Sequence, residues 1–154
     1  MTKPSTEDLR QAIELLFFAY RDFTGEADAI LEEFSFGRAH HRVIYFVGRN
    51  SGITVSQLLA ILKITKQSLA RVLGQLIEEG FVEQLTDAKD RRRRLMTLTR
   101  KGAELEERIT AAQSQRIARA LEDAEPGSIN GFRLILRGII NEEDRERVEV
   151  FFQP

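Results

Sequence analysis

Two amphipathic segments with almost nothing between them set the strongest constraint on this chain. Thr54–Leu62 and Thr65–Glu79 both read as helices, and only Lys63-Ile64 separates them. Thr54 and Thr65 are N-cap residues, and Gly80 stands at the C′ position that closes the second helix. So short a joint has the layout of a helix-turn-helix. Leu69, Val72, Leu73 and Leu76 share one face of the second helix and are expected to pack on Leu58, Leu59 and Leu62. The opposite face carries Gln67, Arg71, Gly74, Gln75 and Glu78, with Ser68 beside it. Taken alone, that face suits a solvated surface as well as a binding one.

The residues after Gly80 narrow the choice. Phe81–Leu85 reads as a short strand, Thr86–Asp90 as a turn-rich loop and Arg92–Leu98 as a returning strand with Met96 and Leu98 alternating against polar neighbours. Four consecutive arginines, Arg91 to Arg94, fall at the tip of this hairpin. The net charge of −1 conceals them. From Lys63 to Lys101 ten cations face five anions, a surplus of five, so the rest of the chain carries −6. A basic middle on an acidic body is what a localised nucleic-acid footprint needs, although a charge run by itself is also consistent with a solvated surface.

The flanks are helical. Ser5 and Thr6 are N-cap candidates for a helix bearing Leu9, Ile13, Leu16, Phe17, Tyr20 and Phe23, expected to end before Gly25. Phe18 lies off that stripe, so the apolar face is wide enough to be covered from more than one side. A short helical piece is expected over Ala27–Phe34 and another helix over His40–Val47, closed by Asn50-Ser51-Gly52. Thr99 caps a long helix towards Glu122, Pro126-Gly127 breaks it, and Ser128 opens an apolar helix with Phe132, Ile135 and Ile139. The tail, Asn141 to Phe152, is helical in part. The fold class is mainly α with a small β-hairpin wing, divided as 1–36, 37–102 and 103–154.

A helix-turn-helix followed at once by an arginine-tipped hairpin is a winged helix, and its chemistry fits duplex DNA. The second helix places hydrogen-bonding residues at its N-terminal end and acids at its C-terminal end, the polarity needed to enter a major groove N-terminus first. Lys66, Gln67, Ser68 and Arg71 are the major-groove candidates; Gln67 suits adenine and Arg71 guanine. Gly74 removes bulk from the exposed face. Thr65 and Lys89 are candidates for phosphate contact. Arg91, Arg92, Arg93 and Arg94 can reach a narrow, electronegative minor groove.

From about Gly37 to about Leu105 the chain resembles the MarR family of bacterial transcription regulators. The resemblance is carried by the Thr54–Leu62 helix, by Thr65-Lys66-Gln67-Ser68-Leu69-Ala70-Arg71-Val72-Leu73, by the Leu76-x-x-x-Gly80-Phe81-Val82 exit, and by Asp90-x-Arg92 with Leu98-Thr99-x-x-Gly102. The flanking helices match the family's order, so the likeness covers nearly the whole chain. It implies that Arg92 enters the minor groove, held in place by Asp90, with Arg91 and Arg93 on phosphates and Arg94 shared with the fold. It implies a homodimer, here through Leu9, Ile13, Leu16 and Phe17, through Phe132, Ile135 and Ile139, and through the tail Val148–Phe152. It implies a cleft for a small aromatic or phenolic effector that weakens DNA binding, with Tyr20, His41 and Tyr45 as lining candidates beside Phe46. The expected function is therefore a sequence-specific DNA-binding repressor, homodimeric on pseudo-palindromic duplex DNA and released by such a ligand.

The alternative is a winged-helix module that binds protein without reading DNA. An enzyme is the weakest class: no nucleophile–base spacing, Gly-rich phosphate loop or metal cluster is evident, and pairs such as Glu32-Glu33 and Glu142-Glu143 do not converge. With no cysteine, thiol sensing and disulfides are excluded. The only histidines, His40 and His41, point about 100° apart on a helix and make a poor metal clamp. No cofactor or metal is expected. No apolar run can span a bilayer, and Met1–Asp8 lacks a signal peptide's layout, so the expected location is cytoplasmic.

Overall fold

The computed structural model describes residues 3–149. In chain order its elements are α1 (Thr6–Glu32), α2 (Arg38–Arg49), β1 (Ile53–Thr54), α3 (Val55–Leu62), α4 (Lys66–Glu78), β2 (Val82–Thr86), β3 (Arg94–Leu98), α5 (Arg100–Glu122), α6 (Ser128–Ile139) and α7 (Glu142–Glu149). They form two units, one through Ser114 and one from Gln115 onward, with α5 running from the first into the second.

In the first unit, α1 starts at a reciprocal cap. The Ser5 hydroxyl accepts the Asp8 N–H at 3.1 Å, and the Asp8 carboxylate accepts the Ser5 N–H at 2.7 Å. The helix does not stop before Gly25, and no separate helix covers Ala27–Phe34; α1 continues unbroken to Glu32. A glycine inside a helix costs only about 1 kcal/mol. Ala27 and Leu31, one turn apart and buried in the core, outweigh that cost. Arg108 of α5 donates to Glu33 at 2.7 Å, just past the end of α1.

The segment expected over His40–Val47 is two residues longer at each end. Gly37 is its N-cap, and Asn50 closes it. The hairpin is joined by a third strand that the sequence reading lacked. β1 pairs antiparallel with β3 through Ile53↔Met96 and Thr54↔Leu95, so the sheet order is β1-β3-β2. Two residues are too few to show an alternating pattern. Thr54 also caps α3, accepting the Gln57 N–H at 3.2 Å.

The core gathers Val43, Ile44 and Val47 of α2, Leu58 of α3, and Leu69, Val72, Leu73 and Leu76 of α4. Phe81, Val82 and Met96 close it from the sheet side, Leu105 and Ile109 from α5. Leu59 and Leu62 are only half-buried at its margin. Each fully buried side chain of this size contributes about 1.5–3 kcal/mol. The wing is anchored where it leaves and re-enters the helices. Thr99 donates its hydroxyl to the Gly80 carbonyl at 2.6 Å and accepts the Gly102 N–H at 3.0 Å, capping α5 as expected. Lys101 donates to the Glu79 carbonyl at 2.9 Å and lies over the Phe81 ring.

In the second unit, Gly127 precedes α6 with φ +86°, a left-handed conformation that favours glycine. No residue of α6 is buried. Arg145 of α7 donates to the carbonyls of Ile140 and Gly138, folding α7 back on the end of α6, where Arg137 also meets Glu149. The apolar end of the tail, from residue 150 to Phe152, lies outside the described residues.

Candidate nucleic-acid interface

The N-terminal turn of α4 is shaped by Thr65, whose hydroxyl oxygen accepts the Ser68 N–H at 3.1 Å and donates to the Ser68 hydroxyl at 2.9 Å. Ser68 is consequently half-buried and engaged in its own helix start. Lys66, Gln67 and Arg71 are exposed on the same helix, and a Cβ at Gly74 would meet nothing within 4 Å. This leaves an open polar surface at the N-terminal end of α4. Gln75 departs from the sequence reading. Rather than standing beside Gln67 and Arg71 on an open face, it is half-buried and bonded to His40 and Glu79.

The wing is a five-residue ladder from Val82↔Leu98 to Thr86↔Arg94, with residues 87–93 as its tip. Two aspartates order that tip. Asp87 accepts the backbone N–H of Lys89 at 2.9 Å, and Asp90 accepts that of Arg92 at 3.0 Å. Asp90 thus grips Arg92 through the backbone, and among the described residues its carboxylate makes no bond to the Arg92 guanidinium. The Asp90 carbonyl also accepts the Arg93 N–H at 3.0 Å. All four arginines are exposed. They are not equivalent. Arg94 donates to Thr86 across the ladder at 2.7 Å, and Arg93 reaches Asp87 at 3.9 Å. Arg91 and Arg92 form no ion pair among the described residues.

The effector candidates have separate hydrogen-bond and ring partners among the described residues. The Tyr20 hydroxyl accepts from Arg42 at 3.3 Å, with Arg38 over the ring. Tyr45 meets Phe46 edge-on at 5.3 Å. His41 is half-buried, and burial pushes its pKa below the ordinary value against the pull of Asp28 and Glu106. No hydrogen bond or ring contact joins Tyr20, His41 and Tyr45 among the described residues. The more buried histidine is His40, 6% exposed, which sequence reasoning left unassigned. It stands at N3 of α2, where its Nδ1 accepts the backbone N–H of the N-cap Gly37, a one-way bond because glycine has no side chain to return it; Gly-x-x-His carries no capping-box signature that would have marked it in the sequence.

Apolar surface is concentrated on two helices. On α1, Leu9, Ile13, Leu16 and Phe17 are exposed, Ile13 to 68%, and so are Leu15 and Phe18 on the opposite side. On α6, Phe132, Leu134, Ile135 and Ile139 are exposed, Ile135 to 67%. No group of three or more potential metal ligands occurs among the described residues. No helix there is long and apolar enough to cross a membrane.

A family model described as MarR family matches residues 34–93. The HTH-type transcriptional regulator PetP of Rhodobacter capsulatus is 44% identical over 144 residues, spanning 94% of this chain and 87% of that protein. The transcriptional activatory protein BadR of Rhodopseudomonas palustris is 35% identical over 52 residues, 34% of this chain and 30% of that one. Among solved structures, a crystal structure of MarR superposes with a TM-score of 0.67 at 25% identity, covering 97% of this chain and 98% of that one. Streptococcus pneumoniae FabT, in complex with DNA, has the same fold, with a TM-score of 0.75 at 17% identity over 85% of this chain and 94% of that one.

Proposed function

This chain belongs to the MarR family of winged helix-turn-helix transcriptional regulators, and we propose that it acts as a homodimeric repressor that reads pseudo-palindromic duplex DNA. The observation that carries the proposal is the pairing, within one folded unit, of an open α4 N-terminus with an exposed arginine wing tip. Membership of a regulator family places the chain outside the enzymes. The fold it shares with FabT, captured on DNA, supports the same direction.

The roles divide by chemistry. Lys66, Gln67, Ser68 and Arg71 meet base edges in the major groove, Thr65 and Lys89 meet phosphate, and Arg92 enters the minor groove with Arg91 and Arg93 on the flanking backbone. Asp90 serves by fixing the backbone that presents Arg92. The exposed stripes of α1 and α6 supply the self-association surface, because apolar surface of this extent is seldom left in water. A dimer places two such units on half-sites about 34–36 Å apart. Bound over a promoter, it represses by occlusion, which requires no contact with polymerase. Tyr20, His41 and Tyr45 are the positions for a small aromatic or phenolic effector, and a location in the cytoplasm follows from the DNA target.

The test is a gel-shift series on a duplex selected from a random pool by the unmutated protein. Retention of full affinity by both Arg71→Ala and Arg92→Ala overturns the DNA-reading role. Transcription in vitro from a template carrying the selected site decides repression against activation, the property that BadR's name records for that relative.

A further inference from the structure

We infer that His40 is a positioning residue for DNA readout: acting through Gln75, it fixes the rotation of α4 about its own axis. This rests on the DNA-binding role proposed above. His40 stands on α2 with its ring stacked on Phe36, 4.7 Å between centroids and 10° between planes. Its Nδ1 lies 3.0 Å from the backbone nitrogen of Gly37. A backbone N–H can only donate, so Nδ1 is an acceptor and the ring proton sits on Nε2. Nε2 lies 2.7 Å from Gln75 Oε1 and donates to it. The amide nitrogen of Gln75 then donates to Glu79 Oε1 at 3.1 Å.

The chain of bonds begins at an obligatory donor and ends at a carboxylate, which only accepts. Every polar atom between them therefore has one role, and turning the Gln75 amide over loses two bonds at once. Gln67, Arg71 and Gln75 lie at i, i+4 and i+8 on α4. The first two are exposed, and the third is turned into the protein and tied to α2. Leu69, Val72, Leu73 and Leu76 supply α4's adhesion, but apolar contact is non-directional and tolerates small rotations. A rotation of about 10° moves side-chain tips some 5–6 Å from a helix axis by roughly 1 Å. That exceeds the tolerance of about 0.5 Å within which a recognition constellation must be held. The His40–Gln75 bond supplies the direction that the leucines and valine lack.

Two substitutions separate this role from simple capping. His40→Asn keeps an acceptor at the N3 position, as Asp8 does for Ser5 on α1, but is too short to reach Gln75. Gln75→Met keeps length and apolar contact but lacks both the amide oxygen that accepts from His40 and the amide N–H that donates to Glu79. Both variants should bind the selected duplex about threefold to tenfold more weakly, the worth of one hydrogen bond. Their binding to random-sequence duplex should match that of the unmutated protein, and the double variant should be no weaker than either single one. His40→Gln, whose amide holds both an acceptor and a donor, should restore part of the loss. Native-state hydrogen exchange should quicken in α4 and not in α1. Equal losses on selected and random duplexes, or additive losses in the double variant, overturn the inference. So does unchanged exchange in α4. If the unmutated protein binds no duplex at all, the DNA-reading role falls, and the α4 exchange rates still decide whether His40 holds that helix.

Discussion

A Cβ placed on Gly102 would lie 2.0 Å from the carbonyl oxygen of Phe81. The first turn of α5 therefore presses directly on the backbone at the root of the wing, and Thr99 and Lys101 bond to the carbonyls of Gly80 and Glu79 just beside it. A wing held this way moves with α5. Gly102→Ala must push two backbones apart and should destabilise the protein by an amount on the order of 1–3 kcal/mol. Gly25→Ala, where a Cβ meets nothing within 4 Å, should instead stabilise by about 0.5–1 kcal/mol. Urea unfolding of the two variants side by side checks both signs.

Arg92→Ala should weaken DNA binding by about 1–3 kcal/mol and leave the unfolding midpoint where it was, since its exposed guanidinium makes no hydrogen bond or ion pair among the described residues. Arg94→Ala removes the bond to Thr86 as well, so a measurable part of its effect should appear in stability. Titrations at several salt concentrations extend the comparison. Each lost phosphate contact should lower the slope of log affinity against log salt by about 0.9, and Arg91→Ala should show this more clearly than Gln67→Ala.

Ile13→Asp and Ile135→Asp each set a charge into an exposed apolar stripe. Sedimentation at micromolar concentration should find a dimer for the unmutated protein and a monomer for either variant. A monomer in both states would remove the basis for the proposed homodimer. Glu104→Gln, at an exposed site on α5, should leave the dimer intact.

His41 gives the stability a defined slope with pH. Burial lowers its pKa in the folded chain, so below the ordinary value of about 6.5 the unfolded chain binds the proton more readily. Stability should therefore fall as pH drops from about 6.5 through the lowered folded value, and hold steady above. His41→Gln should flatten that part of the profile in thermal denaturation between pH 5 and pH 7.

The helix-turn-helix was legible because its signals are local. Thr54 and Thr65 cap, Gly80 stops, and Leu69 to Leu76 repeat at helical spacing. Boundaries that depend on distant contacts were not legible. Gly25 reads as an end, but the burial of Ala27 and Leu31 carries α1 past it. The strand Ile53–Thr54 exists only because β3 comes back to pair with it. At the interface, exposure of the arginines follows from composition alone. Their inequality came only with the family resemblance, which already shared Arg94 with the fold; the partners behind it, Thr86 across the ladder from Arg94 and Asp87 in the tip beside Arg93, show only in the structure. Gln75 was misplaced for the same reason: helical spacing sets it near the open face, and only the approach of His40 from α2 turns it inward.

The uninterrupted course of α1 has a mechanical consequence. Twenty-seven helical residues make a rod about 40 Å long. Its C-terminal end is set in the core by Ala27 and Leu31, while its N-terminal half is bare hydrocarbon on opposite sides. A break at Gly25 would have made a hinge there, letting whatever grips the outer half swing independently of the DNA-reading unit. Without it, Leu9, Ile13 and Leu31 stand on one unbroken helix, and the Glu33–Arg108 pair ties the far end of that helix to α5.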